Sequence, residues 1–288
     1  MEQFKIIART VFLLFFCGLV LLPFFWMGLT ALKDPSLSLS FRLFPEWSTF
    51  QQAGFWKTMS DFYNLNNFSR ILSDPHFPFG LFFLNSFVVA SLSGLLTVLL
   101  CLWAGYAFAR KNFWGKERLF QVLMSSLLVP GMIYMVPQFA LVYQLGWMNS
   151  YQGMIVPHLA NVFGLYLVRQ HIEQLPKSLF ESASMEGASD FQMLFWVVIP
   201  LSWPVLLTLF LTIFTNQWSN FLWQLIINSP DSAYRTLPVG LALFKGQYQL
   251  YWGAVMAGAC LSVVPMILIF LFTQRFFIEG MTKGAIKG

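Results

Sequence analysis

Between Arg118 and Arg169 the chain carries no aspartate, glutamate, lysine or arginine. A helix needs about 20 apolar residues to cross the hydrocarbon core of a bilayer, and a charge at its centre costs about 2.5–3.5 kcal/mol on insertion scales. The charge-free run is too long for one crossing. Its polar interior at 144–152 (QLGWMNSYQ) divides it into spans near 120–143 and 153–168. Similar windows lie near 11–32, 82–108, 199–222 and 252–272. The pattern predicts an all-α polytopic membrane protein with about six transmembrane helices. Composition agrees: 57% of residues are hydrophobic, mean hydropathy is +0.64, and only 10% are charged, against about 25% in soluble domains. So little charge does not cover a water-facing surface of this size.

Six spans place both termini on one side. With that side cytoplasmic, eleven of the 17 basic residues lie inside and six outside, as the positive-inside tendency requires. This predicts a cytoplasmic N-terminus at 1–10, a first span at 11–32, an external loop at 33–80, a transmembrane core at 81–276 and a cytoplasmic tail at 277–288. The external loop mixes aromatic and polar residues without a clear period and is expected to form short amphipathic pieces. The first apolar run exceeds the 7–15 residues of a secretory signal core and lacks a small-x-small cleavage site, so it is read as a retained helix. The net charge of +5 is not gathered into one patch, which argues against nucleic acid as a partner. Cys17, Cys101 and Cys260 sit apart in apolar runs without metal-ligand spacing and read as packing residues.

The loop expected between the fourth and fifth spans is the most informative segment. Ser178 to Glu181 fits an S-x-x-E capping box, Gly187 suits a helix end, and Ser189 to Gln192 fits a second box. The expected product is helix, bend, helix: a compact knob, with Leu179, Phe180 and Met185 as apolar contact points.

Within this knob, Glu181, Ser182 and Ala183, then Gly187, then Val197, Ile199 and Pro200 resemble the coupling motif of ABC importer permeases, with Ser182, Val197 and Ile199 as small departures. Asn220 to Trp223, Arg235 to Leu241 and Gln274 onward to Gly288 resemble carbohydrate importers of the maltose type, in particular the second permease of that pair. Phe79-Gly80 and Asn85-Ser86 also fit. The likeness covers most of 77–288 and is weakest in the external loop. The resemblance implies that the coupling loop, 173–200, docks in a cleft of a separate ATPase dimer. Glu181 would meet a basic residue there, and Gly187 would allow the bend. It further implies a second homologous permease, an extracytoplasmic solute-binding protein, a sugar substrate, and a bacterial or archaeal inner membrane. ATP and magnesium would be bound by the ATPase, leaving no cofactor and no catalytic residue in this chain.

The residues agree with that division of labour. There is no G-x-x-x-x-G-K-[ST] phosphate loop, since Gly115-Lys116 lacks both the upstream glycine and the following hydroxyl. His76, His158 and His171 are isolated from one another, and no cluster suggests a metal. The polar residues expected within or beside spans are Asn85, His158, Asn161, Asn216, Gln217 and Asn220. They are candidates for a substrate pathway, though such residues also join helices. Amides suit a neutral, hydroxyl-rich solute, and the spans hold no charge for a coupling proton. A polyol or glycerophosphodiester importer is an alternative. An ion-coupled carrier and a membrane enzyme are more distant ones. Pro130, Pro137, Pro157, Pro204 and Pro265 mark kinks or hinges.

Overall fold

A computed structural model describes residues 2–37, 40, 42–75, 77–247 and 251–285, without the side chains of 2, 4, 53, 245–247 and 275–285. His76 and residues 286–288 of the expected tail lie outside the described residues. Among the described residues the architecture is helical, with one isolated bridge between Lys33 and Tyr63. Helices close their own backbone hydrogen bonds, which the interior of a bilayer demands. The chain divides into two compact units, Met1–Phe83 with Val239–Ile267, and Leu84–Pro238 with Leu268–Gly288.

In the first unit, α1 (Glu2–Leu32) is apolar on every side, and its hydrophobic core is entirely unburied by the rest of the chain. Such a surface is made for lipid or for a partner. The segment after it forms three short helices, α2 (Trp47–Ala53), α3 (Phe55–Phe62) and α4 (Asn66–Ser73). Asn67 on α4 ties this segment to the end of α1 by donating to the carbonyls of Ala31 at 3.0 Å and Lys33 at 2.6 Å.

In the second unit the long helix α5 (Phe79–Arg110), which enters it at Leu84, packs against later helices. The chain continues through α6 (Lys116–Ser125), α7 (Gly131–Gln144), α8 (Tyr151–Ile155), α9 (Val162–Gln174), α10 (Lys177–Met185), α11 (Asp190–Met193), α12 (Ile199–Trp218) and α13 (Leu222–Ile227). One core joins Cys101, Leu102 and Tyr106 of α5 to Val168 and Ile172 of α9 and to Leu206, Leu209 and Ile213 of α12. Gly164 permits this approach: a Cβ there would lie 2.9 Å from both Cys101 Sγ and Leu209 Cδ1. Small residues let membrane helices come close where no water drives them together. A second core gathers Val89, Val142, Met154, Ile155, Trp223 and Ile227. The remaining helices are α14 (Leu237–Gln247) and α15 (Trp252–Ala285), whose backbone runs on through most of the expected tail.

Two expected spans are not continuous helices. Among the described residues four helices are long and apolar enough to cross a membrane: Lys5–Leu32, Phe79–Arg110, Asp190–Trp218 and Trp252–Gln274. The third expected span is a pair, Lys116–Leu128 and Gly131–Gln144, bent by 102°. The break falls at Pro130, which lacks an N–H and whose extended backbone (ψ 131) restarts the chain as the N-cap of α7. The expected span near 153–168 is broken too. A 3-10 turn at Val156–His158 carries Pro157 in its first positions, and Asn161 then caps a new helix.

Candidate coupling protrusion and polar cavity

The knob forms at 176–200. Pro176 takes φ −55 and starts α10 at Lys177, so Ser178 lies inside the first turn and the expected capping box with Glu181 does not form. Proline's fixed φ begins the helix earlier than the serine would. The Glu181 side chain is consequently exposed and makes no ion pair or side-chain hydrogen bond among the described residues.

The helix ends in a Schellman motif. Gly187 N–H donates to the Ser184 carbonyl at 3.0 Å, and Ala188 N–H to the Ala183 carbonyl at 3.0 Å. Gly187 sits at φ +79 with open space where a Cβ would stand. The requirement for glycine there is conformational, not steric. The second expected box does form: Ser189 Oγ accepts from Gln192 N at 3.3 Å, and Gln192 Oε1 accepts from Ser189 N at 2.8 Å. After α11 the backbone widens into a π turn, Leu194–Val198, which contains Val197 and leads to Ile199 and Pro200 at the start of α12. Pro200 has no N–H for the α-helical bond back to Trp196, which favours the wide turn at that point.

The knob is seated on the transmembrane core by Phe180, the buried residue of α10, and Ala183, Val197 and Ile199 pack against the same core. The other two expected contact points face outward: Leu179 is exposed and Met185 is 84% exposed. Three residues at the end of α5, which sequence reading did not single out, grip this base. Tyr106 hydroxyl donates to Asp190 Oδ1 at 3.2 Å, and Lys111 pairs with the same carboxylate. Arg110 Nη2 donates to the carbonyls of Ile172 at 2.7 Å and Leu175 at 2.8 Å. Its guanidinium lies 3.9 Å over the Phe180 ring. Arg110 and Lys111 are visible in sequence as the charges that close an apolar run; their partners, more than sixty positions away, are not.

Five of the six pathway candidates meet at one cavity of about 240 Å³. His158, Asn161, Asn216, Gln217 and Asn220 line it with Tyr134, Pro157, Ala160 and Ile213, and among the described residues no charged side chain does. Each arrives by a local device. Asn161 Oδ1 accepts from Gly164 N at 2.6 Å and caps α9. Asn216 and Gln217 close α12, and Asn220 Nδ2 donates to Gln217 Oε1 at 3.2 Å. Among the described residues, His158 Nε2 is buried without a hydrogen-bond partner. Tyr134 was missed because nothing in its own apolar helix marks it out. Asn85 is elsewhere: its Nδ2 donates to the carbonyls of Ala233 at 2.7 Å and Arg235 at 2.9 Å, while its Oδ1 accepts from Tyr151 hydroxyl at 2.7 Å. It joins elements and does not face the cavity.

The family model described as binding-protein-dependent transport system inner membrane component matches residues 98–282. The chain belongs to this family. Among its relatives, the trehalose/maltose transport system permease protein MalG of Thermococcus litoralis is 32% identical, over 93% of this chain and 92% of that protein. The arabinooligosaccharides transport system permease protein AraQ of Bacillus subtilis is 30% identical, over 99% and 98%. The lactose transport system permease protein LacG of Rhizobium radiobacter is 27% identical, over 99% and 95%. The fold is similar to that of a chain in a bacterial ABC transporter involved in the import of the acidic polysaccharide alginate, with a TM-score of 0.78 at 19% identity, covering 96% of this chain and 97% of that one.

The family match takes in both the knob and the cavity of this permease and leaves α1 to α4 outside. Membership makes it a multi-pass membrane protein, of a kind that is generally non-catalytic.

Proposed function

We propose that this permease is one half of the translocation pathway of an ATP-driven, binding-protein-dependent importer of a sugar or oligosaccharide. A second homologous permease supplies the other half. A separate ATPase dimer holds ATP and magnesium, and an extracytoplasmic solute-binding protein delivers the substrate. Both termini and the knob are then on the cytoplasmic side of the inner membrane. The observation that carries this reading is the bent protrusion: a short helix ended by Gly187, with the Glu181 carboxylate and the Met185 side chain presented outward while Phe180 anchors it to the core. That is a surface shaped to be pushed by a docked protein.

The substrate class is supported twice. The relatives named above carry sugars in their names. The cavity lined by His158, Asn161, Asn216, Gln217 and Asn220 offers amides and an imidazole but no charge, which suits neutral hydroxyl groups better than an acidic polysaccharide. Neither observation favours an ion-coupled carrier.

The test is transport and ATP hydrolysis by the reconstituted complex against a panel of neutral sugars. A member of the panel should stimulate hydrolysis, and Glu181→Lys and Gly187→Leu should each separate hydrolysis from uptake. Unchanged uptake in both variants, or uptake by the purified chain alone under an ion gradient, would refute the proposal.

A further inference from the structure

The last turn of α5 holds the knob on both sides of its bend. Tyr106 and Arg110 are four positions apart and therefore share a helix face. Tyr106, helped by Lys111, takes the arm after the bend through Asp190. Arg110 takes the arm before it, through the Phe180 ring, and at the same time satisfies the final carbonyls of α9. A planar guanidinium lies over a ring while its fixed fork donates to two carbonyls; an ammonium is a compact point charge without that flat, preorganised fork.

The other end of α5 is also tied. Asn85 holds the carbonyls of Ala233 and Arg235, and Ser86 Oγ accepts from Leu237 N at 2.8 Å. Residues 85 and 110 lie on one uninterrupted helix with no proline inside, about 37 Å apart at 1.5 Å per residue. A stiff helix gripped at both ends carries displacement along its length, whereas a loop would absorb it.

We propose that Arg110 is a positioning residue for coupling: it locks α10 and α9 to α5, so that movement of the knob is delivered to the segment 233–237 at the far end. This rests on reading 176–200 as the ATPase-docking protrusion. Arg110 does not line the polar cavity. A role limited to capping α9 would lower the yield of the complex and scale every readout together.

The experiment uses the complete transporter with its ATPase, carrying Cys17→Ala, Cys260→Ala and Tyr234→Cys. The label is a membrane-impermeant maleimide, applied without nucleotide and after trapping with ATP and vanadate. Cys101 is buried and stays silent. In the Arg110 parent, trapping should change the labelling rate at position 234 by about fivefold or more, the low end of ordinary allosteric coupling. Arg110→Gln should reduce that change to less than about twofold while the ATPase still co-purifies, and Arg110→Lys should not restore it. Phe180→Leu keeps the apolar anchor and removes the ring, so it should give an intermediate loss; it stands in if Arg110→Gln fails to assemble. Full nucleotide dependence in Arg110→Gln, in Phe180→Leu, or regained in Arg110→Lys overturns the role of Arg110. A parent that binds no ATPase, or shows no change on trapping, overturns the reading of the knob itself and the proposal with it.

Discussion

Trp223 stands edge-on to His158, with ring centroids 5.4 Å apart and planes at 87°, while its indole N–H donates to the Gly153 carbonyl at 3.0 Å. One buried tryptophan thus fixes both a helix end and the imidazole that borders the polar cavity. Trp223→Phe keeps an aromatic edge but leaves the Gly153 carbonyl unpaired, at a cost of about 1–3 kcal/mol. Thermal unfolding of the detergent-solubilised complex should register the loss. His158→Phe should leave unfolding nearly unchanged and raise KM for the transported sugar, the outcome that the proposed substrate pathway requires of an imidazole lining the cavity. A normal KM in His158→Phe removes the imidazole from the pathway.

The two serine boxes of the knob provide a contrast that sequence alone would not predict. Ser189→Ala should cost about 1 kcal/mol, the usual value of a lost N-cap, because Ser189 and Gln192 satisfy each other's backbone N–H groups. Ser178→Ala should be close to neutral, since Ser178 caps nothing. Equal destabilisation of the two, measured by denaturant unfolding, contradicts the observed start of α10 at Lys177.

At Gly187 the constraint is backbone conformation with free space around it. Gly187→Asn should therefore be tolerated better than Gly187→Val, because asparagine enters the left-handed region more readily than a β-branched residue. The strain in the valine variant is on the order of 1–3 kcal/mol. If ATP consumption per molecule of sugar imported is the same in both variants, the bend does not require the left-handed residue.

Asn85 anchors the 233–237 segment and the Tyr151 hydroxyl with one amide. Asn85→Ala strands two carbonyls and a hydroxyl, each costing about 1–3 kcal/mol when buried. Hydrogen exchange across 233–238 should accelerate by about tenfold or more, while the amides of α9 keep their protection. Unchanged exchange there would show that Ser86 holds the segment alone.

Much of the chain was legible in advance wherever the signal is local. Charge-free windows located α1, α5, the α12 span and α15, because the cost of burying a charge acts residue by residue. Gly187 and the Ser189–Gln192 pair were readable because a helix cap is completed within three or four positions. The breaks in the third and fourth expected spans were not legible for a related reason: mean apolarity there is high, but Pro130, Pro157 and Asn161 change the backbone direction without changing it.

By itself the sequence determined that this protein is helical, that it meets lipid, and that a bent segment separates its later apolar runs. Those properties follow from side-chain polarity and from hydrogen bonds closed within one turn. Only the tertiary structure decided that Arg110 would cover Phe180, that Asn85 would be spent on the 233–237 segment, and that His158, Asn161, Asn216, Gln217 and Asn220 would share one cavity. An arginine or an asparagine states what it can donate or accept. Which acceptor it finds depends on how distant helices pack, and no local rule encodes that choice.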